Sequence, residues 1–445
     1  MHFKQTAPVL GSLALASLVA AVPVEKRGSI SYGDRTDHIK AYQDSQPAAS
    51  SGYQAAASSS AGSWGYSSSS AASNGYYAPT STSAYNAPSS TSSASWSSGS
   101  AGANLGDNPF KFPLGNGFPN IQNPSSALTQ IEDAAHGTLP NGGAPPSINP
   151  DDLLSQRLIA FNELWEVAFF TELLANVTNN APGYQFQDQN QRQNVIAALT
   201  AIQAQEELHA LNANGVLSHF NAGPIQPCTY VAPVSDFNSA IALAATFTDV
   251  VLGTLGDVIV KLGLNGDAKL ARGVVGVVGQ EGEQNGYYRE LLGEIPSAAP
   301  FLTASTREFA FSALNQNFVV AGSCPNINTI NLPVFGVLNL ETPKIAAQDQ
   351  QLTFSFDAAG QYSKWTSWQG LNLVYINQQN TPVAIPISGA QVSGSKVTFS
   401  ANFPFTENLM FGLTIAVVTN GAGPFADVDA VAAATVFGPA LIEVQ

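Results

Sequence analysis

The sequence predicts an α+β chain of several parts: a bundle of four long helices, an all-β sandwich behind it, and a leader without a core ahead of both. Three observations carry this. Between about residues 151 and 293, apolar residues recur at helical spacing in four long runs. Past Cys324 the chain changes to short β-branched and aromatic runs parted by Gly, Asn and Pro turns. From about Gly28 to Pro150 the chain is mostly Ser, Ala, Gly, Tyr, Asn and Pro without clustered large aliphatics, so little apolar burial offsets the entropy of ordering it.

The first residues give an address. Lys4 is a weak positive start, a small apolar run covers Ala7 to Ala21, and Val19-Ala20-Ala21 is a small-residue cleavage site. Residues 1–21 therefore predict a signal peptide and a secreted protein, in the extracellular space or the cell wall. Residues 22–27 form a short pro-segment ending in Lys26-Arg27, a dibasic processing site that leaves Gly28 as the mature start. The apolar run is short and Pro23 follows it, and no hydrophobic C-terminal tail suits a lipid anchor, so no membrane anchor is expected. Residues 28–150 are the low-complexity leader, with the Ser/Thr density of an O-glycosylated stalk or of a plain disordered spacer. The formal charge of -15 repels nucleic acid and anionic lipid.

Residues 151–325 hold the helices: about 151–177, 190–220, 235–263 and 267–293, then a shorter one over 304–319. Asp151 and Asp152 suit a first turn, Asp267 suits the cap of the fourth helix, and Pro182-Gly183, Gly223-Pro224 and Gly263 to Gly266 mark the breaks. The glycines of "GVVGVVGQEG" lack the Lys-Ser/Thr of a phosphate loop and suggest close helix packing instead. Cys228 and Cys324, the only cysteines, are most simply one disulfide in an oxidising compartment. Asn176-Val177-Thr178 is a glycosylation sequon at a helix end. Residues 330–445 read as the sandwich, with strands in "QLTFSFD", "LNLVYIN", "KVTFSANF" and "FGLTIAVVT". Asp357 and Glu407 stand out as its isolated acids, though nothing marks them for hydrolysis.

The chemistry lies in carboxylates that keep core phase. The second helix carries the seam Val195, Leu199, Ile202, Glu206, His209, Ala213, Val216. The fourth carries Leu270, Val274, Val277, Glu281, Gln284, Tyr288, Leu291, and the first puts Glu163 in the stripe Ile159, Glu163, Val167, Phe170, Leu174. A lone buried carboxylate costs several kcal/mol unless it is paired or binds a metal, so three on three helices are expected to be one another's partners.

A Glu on one helix and Glu-x-x-His on the next, repeated, is the ligand plan of ferritin-like carboxylate proteins. Over about residues 150–300, "NELWEVAFF", "QEELHA", "FTDVVLGTLGDVI" and "QEGEQNGYYRELLGEIP" resemble the fungal secreted ferritin-like family of stress-response and late sexual-development proteins, related to plant desiccation-related proteins. That resemblance implies a ferritin-like bundle with Glu163, Glu206, His209 and Glu281 as metal ligands. Two positions depart from the plan: Gln284 replaces the second histidine, and Thr248 stands at the third-helix carboxylate, with Asp249 one residue off the seam. Three accounts follow. The four residues hold one ion of iron, manganese or zinc; or Glu166 and Asp249 shift inward to complete a two-ion site; or the site is vestigial, without metal, and the residues form a buried hydrogen-bond network. The resemblance implies the theme of stress response or sexual development; with the incomplete ligand set, the leading expectation is a non-enzymatic secreted or wall-associated protein whose sandwich is a candidate surface for cell-wall polysaccharide. The alternative is a mono- or dinuclear iron or manganese oxidase or peroxide-handling enzyme, with Tyr287 or Tyr288 beside the ion.

Overall fold

The computed structural model describes residues 109–445; the expected signal peptide, the expected processing site at Lys26 and Arg27 and most of the low-complexity leader lie outside the described residues. Folded chain begins well before the expected boundary at Pro150. Phe110 pairs with Tyr230 through N–H to carbonyl bonds of 2.8 and 3.0 Å, and helix α1 (Ser126–Ala135) follows. Ser125 caps α1 by accepting a bond from the Leu128 N–H. Leu128 and Ile131 bury one face of α1 against Ala204 and Leu208 of the bundle. A Ser/Gly/Pro-rich composition hid this because a single amphipathic turn pair borrows its core from a neighbour.

The four long helices are α2 (Pro150–Thr178), α3 (Gln189–His219), α4 (Phe237–Asn265) and α5 (Ala268–Leu291), close to their expected bounds. Asn149 caps α2, with Pro150 at its first position and Asp151 and Asp152 in its first turn. Asp236 and Ser239 form a reciprocal capping box on α4. Asp267 occupies the N-cap position of α5 but does not cap it: its carboxylate accepts the Asn149 N–H at 2.6 Å. That bond, with Asn265 donating to Asp152 at 3.0 Å, puts the start of α5 beside the start of α2. The Phe237 N–H donates to the Gly183 carbonyl at 3.0 Å, so α4 starts where α2 ends. The topology is thus up, down, down, up, with residues 220–236 crossing the length of the bundle.

Helix α2 is apolar nearly all round because it is the central helix, packed on α3, α4 and the fifth helix, α6 (Arg307–Asn317). Trp165 anchors the core, with ring centroids 4.3 Å from Phe247 and 4.4 Å from Phe318. Helix α4 is long and apolar enough to cross a membrane by length and composition alone. Here Ile241, Phe247, Val250, Val258 and Leu262 are each 1% exposed or less, inside the protein core. The glycines of α5 do not serve close packing: a Cβ at Gly273, Gly276, Gly279 or Gly282 would meet nothing within 4 Å. The close approach is at Gly253 of α4, where a Cβ would lie 2.3 Å from the Thr303 carbonyl oxygen. Cys228 and Cys324 form the expected disulfide, joining the crossover to the segment after α6 across 96 residues.

The C-terminal part is a sandwich of two four-stranded antiparallel sheets, β1-β2-β6-β5 and β4-β3-β7-β8. The strands are β1 (Leu338–Leu340), β2 (Gln350–Asp357), β3 (Asn372–Asn377), β4 (Val383–Pro386), β5 (Gln391–Ser393), β6 (Lys396–Phe403), β7 (Gly412–Thr419) and β8 (Thr435–Val444). Two short helices, α7 (Phe405–Asn408) and α8 (Val428–Ala434), complete it. Leu352, Phe354, Phe356, Phe399, Phe403 and Phe437 fill the space between the sheets. The outer face of the second sheet is covered too: Val374, Ile376, Ile415 and Val417 pack with Val250 of α4, Phe309 of α6 and Val431 of α8. Every residue of β3 and β7 is buried, which is why these strands read as continuous apolar runs.

Candidate metal centre

The site is built at mid-height in the bundle. Periodicity 4-3-4 aims Glu163 from α2, Glu206 and His209 from α3 and Glu281 from α5 at one point, and each offers a ligand atom within 4.8 Å of the others. The three carboxylates are 1% exposed, and the His209 side chain is 15% exposed. His209 Nδ1 lies 2.9 Å from Glu206 Oε2 and 3.5 Å from Glu163 Oε2. Residues 158–294 match the ferritin-like domain family. The match runs from α2 to just past α5 and leaves out α1, α6 and the sandwich. No curated protein matches the chain.

Set against the ligand plan of a two-ion ferritin-like centre, the bundle supplies one half and lacks the other. A Glu from α2, the Glu-x-x-His pair of α3 and the first Glu of α5 surround a single point. The second point would need a carboxylate where Thr248 stands and an imidazole where Gln284 stands. Gln284 instead donates from Nε2 to Glu206 Oε1 at 2.7 Å and accepts from the Tyr288 hydroxyl at 3.1 Å. Tyr288 is fully buried, and burial pushes its hydroxyl well above the ordinary tyrosine value. Its hydroxyl donates to the Gln284 amide, and Glu206, Glu166 and Glu281 lie near enough to add to that shift.

The remaining sequence-predicted residues separate. Glu166 is buried and joins the edge of the cluster: Asn162 donates to its Oε2 at 2.8 Å, and Glu163 is within hydrogen-bonding reach. Asp249 does not shift inward. It points to the junction with the sandwich, where Asn285 donates to its Oδ1 at 2.8 Å and the Arg289 guanidinium offsets part of its burial. Burial leaves that carboxyl at about 7 all the same. Across the junction it faces a second buried carboxyl, Glu443 of β8, which repels it and which no periodicity marks in the sequence. Glu443 is 5% exposed, neither of its carboxylate oxygens has a hydrogen bond, and burial holds it well above its ordinary value. Asp357 accepts its own loop N–H at Ala359 and Glu407 is exposed, and neither lies in the cluster around Glu281. Asn176 lies half-buried in the last turn of α2, where its carbonyl accepts the Ala181 N–H. Sequence reasoning also passed over Glu207, which is 1% exposed and accepts two bonds from Asn116 Nδ2, at 3.1 and 3.0 Å. Its Gln203 neighbour one turn earlier, bonded at 2.6 Å, was the available signal.

The electrostatics of the cluster suit a cation. Burial pushes the Glu163 carboxyl up to about 7 against the pull of His209, and pushes Glu166 and Glu281 well above the carboxylate range. Burial alone would lower the His209 imidazole, but Glu206 and Glu163 outweigh it and raise it well above its usual value. Both oxygens of Glu281 and one of Glu163 are buried without a hydrogen bond. Orphaned interior oxygens converging on one point are what a bound cation would satisfy, so the residues fit a metal ion.

Proposed function

We propose that the ferritin-like bundle holds one transition-metal ion on Glu163, Glu206, His209 and Glu281, and that the protein is a secreted, metal-dependent oxidoreductase acting on small molecules. The observation that carries this reading is the pair of orphaned Glu281 oxygens inside a cluster whose ligand atoms lie within 4.8 Å of one another. Three hard oxygen donors and one imidazole favour iron or manganese; they would fill a tetrahedral zinc but leave a six-coordinate ion open. His209 and Glu163 line a cavity, so the open side faces a space that molecules can occupy. When bound, an iron or manganese ion would supply one-electron chemistry toward dioxygen or peroxide. The chain's own contribution is to hold the ligands: Gln284 fixes Glu206 and Tyr288 fixes Gln284. Secretion is supported by the signal-like first 21 residues and by the disulfide.

A second reading has its own observation. Glu206 has both oxygens engaged, by Gln284 and His209, without any ion. On that account the bundle is a scaffold in a stress-response or developmental protein, with the sandwich holding cell-wall polysaccharide. Metal analysis of the secreted protein separates the two. About one iron or manganese per chain, absent from Glu281→Gln, supports the first reading, which then requires peroxide or oxygen consumption that Glu206→Ala abolishes. Protein that stays metal-free after reconstitution, with binding to glucan or chitin, supports the second.

A further inference from the structure

Above the ligand cluster, toward the end of the bundle where α2 and α5 begin, the helices do not close on one another. They leave a half-open, mostly apolar cavity of about 880 Å³, within the ~300–1,000 Å³ range of small-molecule sites. Its floor is Glu163 and His209, and its walls include Ile159 of α2, Val216 of α3, Leu255 of α4 and Val274 of α5. These are the seam positions that would fill the core of a closed bundle. Small residues leave the space open: Ala213 faces it from α3 and Gly273 from α5, where a side chain would meet nothing within 4 Å. The folded segment between Pro119 and Pro145 forms the roof.

Charge distinguishes the two ends. Glu163 at the floor is the sole carboxylate lining the cavity, and the lysine and arginine that line it are Lys269 and Arg272 of α5, both exposed. Neither makes an ion pair among the described residues. Two unpaired cations at the mouth of an apolar cavity stand out in a chain of net charge -15.

We propose that this cavity binds a single-chain amphiphilic anion, its alkyl chain running down the apolar walls and its charged head held at Lys269 and Arg272. In the chelated protein the reverse orientation is disfavoured on charge, because an anionic head at the floor would meet Glu163 and, behind it, Glu206 and Glu281, three carboxylates against the single His209 imidazole. Chain length follows from geometry. Arg272 and Glu281 are nine residues apart on α5, about 13 Å along the axis, and an extended chain covers that in about eleven bonds. The proposal deepens the metal-centre reading by naming the class of molecule brought to the ion; it rests on that reading for the reaction, though not for binding.

The test is calorimetric titration of the full secreted chain, chelated and metal-loaded in parallel, with hexanoate, octanoate, decanoate, dodecanoate and hexadecanoate below their micelle concentrations. Affinity is expected to rise about fourfold per methylene up to dodecanoate and then level off, in both metal states. Dodecyltrimethylammonium is expected to bind at least tenfold more weakly than dodecanoate. Charge reversal at two exposed positions, Lys269→Glu with Arg272→Glu, leaves the fold intact by circular dichroism and inverts that preference. Val274→Trp sets an indole into the apolar wall two residues from Arg272 and is expected to weaken the chain-length dependence. Equal binding of anion and cation, no dependence on chain length, or no effect of either variant overturns the proposal. Because binding is read in the chelated protein and metal content separately, loss of one reading leaves the other measurable.

Discussion

Replacing Glu281 by methionine tests the central argument, since the two states of the protein should respond in opposite senses. Both Glu281 oxygens are buried without a hydrogen bond, and the residue is 1% exposed. An unsatisfied buried polar group costs about 1–3 kcal/mol, and methionine has similar length and a soft, adaptable side chain. In chelated protein Glu281→Met should therefore gain about 1–3 kcal/mol of stability. With the ion present the order reverses. At a free-ion concentration a thousandfold above Kd, wild type gains about 4 kcal/mol by mass action, while the variant, short of one ligand, gains far less. Urea unfolding followed by far-ultraviolet circular dichroism, with chelator and with iron or manganese, reads all four numbers. A loss of 1 kcal/mol or more in the chelated variant would mean that the carboxylate has partners and that the cluster was not waiting for a cation.

Gly253→Ala is expected to cost about 1–3 kcal/mol or more, because its Cβ would lie 2.3 Å from the Thr303 carbonyl and 2.9 Å from the Ser305 nitrogen, both backbone; denaturant midpoints check it. Asn116→Ala removes the donor to both Glu207 oxygens and should cost about 1.5–3 kcal/mol, with faster proteolytic cleavage between residues 109 and 149. Asp257 is held at about 6, above its ordinary 3.8, by burial that outweighs Lys261. Its folded form therefore binds the proton more tightly than the unfolded chain. Its contribution is most favourable below pH 4 and falls as pH rises to about 6, by about 3 kcal/mol; Asp257→Asn should lack this slope in pH-dependent unfolding. Reducing the Cys228–Cys324 bond, which closes 96 residues, should lower stability by roughly 4–5 kcal/mol, read as a drop in denaturant midpoint.

The helices were legible because Glu163, Glu206, His209 and Glu281 sit in phase with apolar neighbours, so periodicity placed the elements and, with them, the four residues of the cluster. The strands β2, β3, β6 and β7 were legible from β-branched and aromatic runs. Strand β8 was not, since Gly438-Pro439 reads as a breaker. In the fold Gly438 lies against Val417, where a Cβ would be 2.8 Å from Cγ1, and the β7–β8 register skips at that point. Glu443, Asn116 and the cavity were invisible for a common reason. Each depends on which distant segment comes to rest on a surface, and neither local propensity nor spacing encodes that. Asp249 shows the limit of a one-residue offset: a step of 100° along α4 carries it from the ligand face to the sandwich junction.

The second sheet of the sandwich, covered on its far side by α4 and α6, has a consequence for how the protein can be taken apart. Val250 and Phe309 lie in the same apolar layer as Ile376 and Ile415. Cutting the chain near residue 330 would strip that layer from both pieces and leave each with a greasy wound. Hydrogen exchange should accordingly find the amides of β3 and β7 as slow as those of α2, opening with the helices in one cooperative event. The sandwich is less a passenger on the bundle than its outer wall.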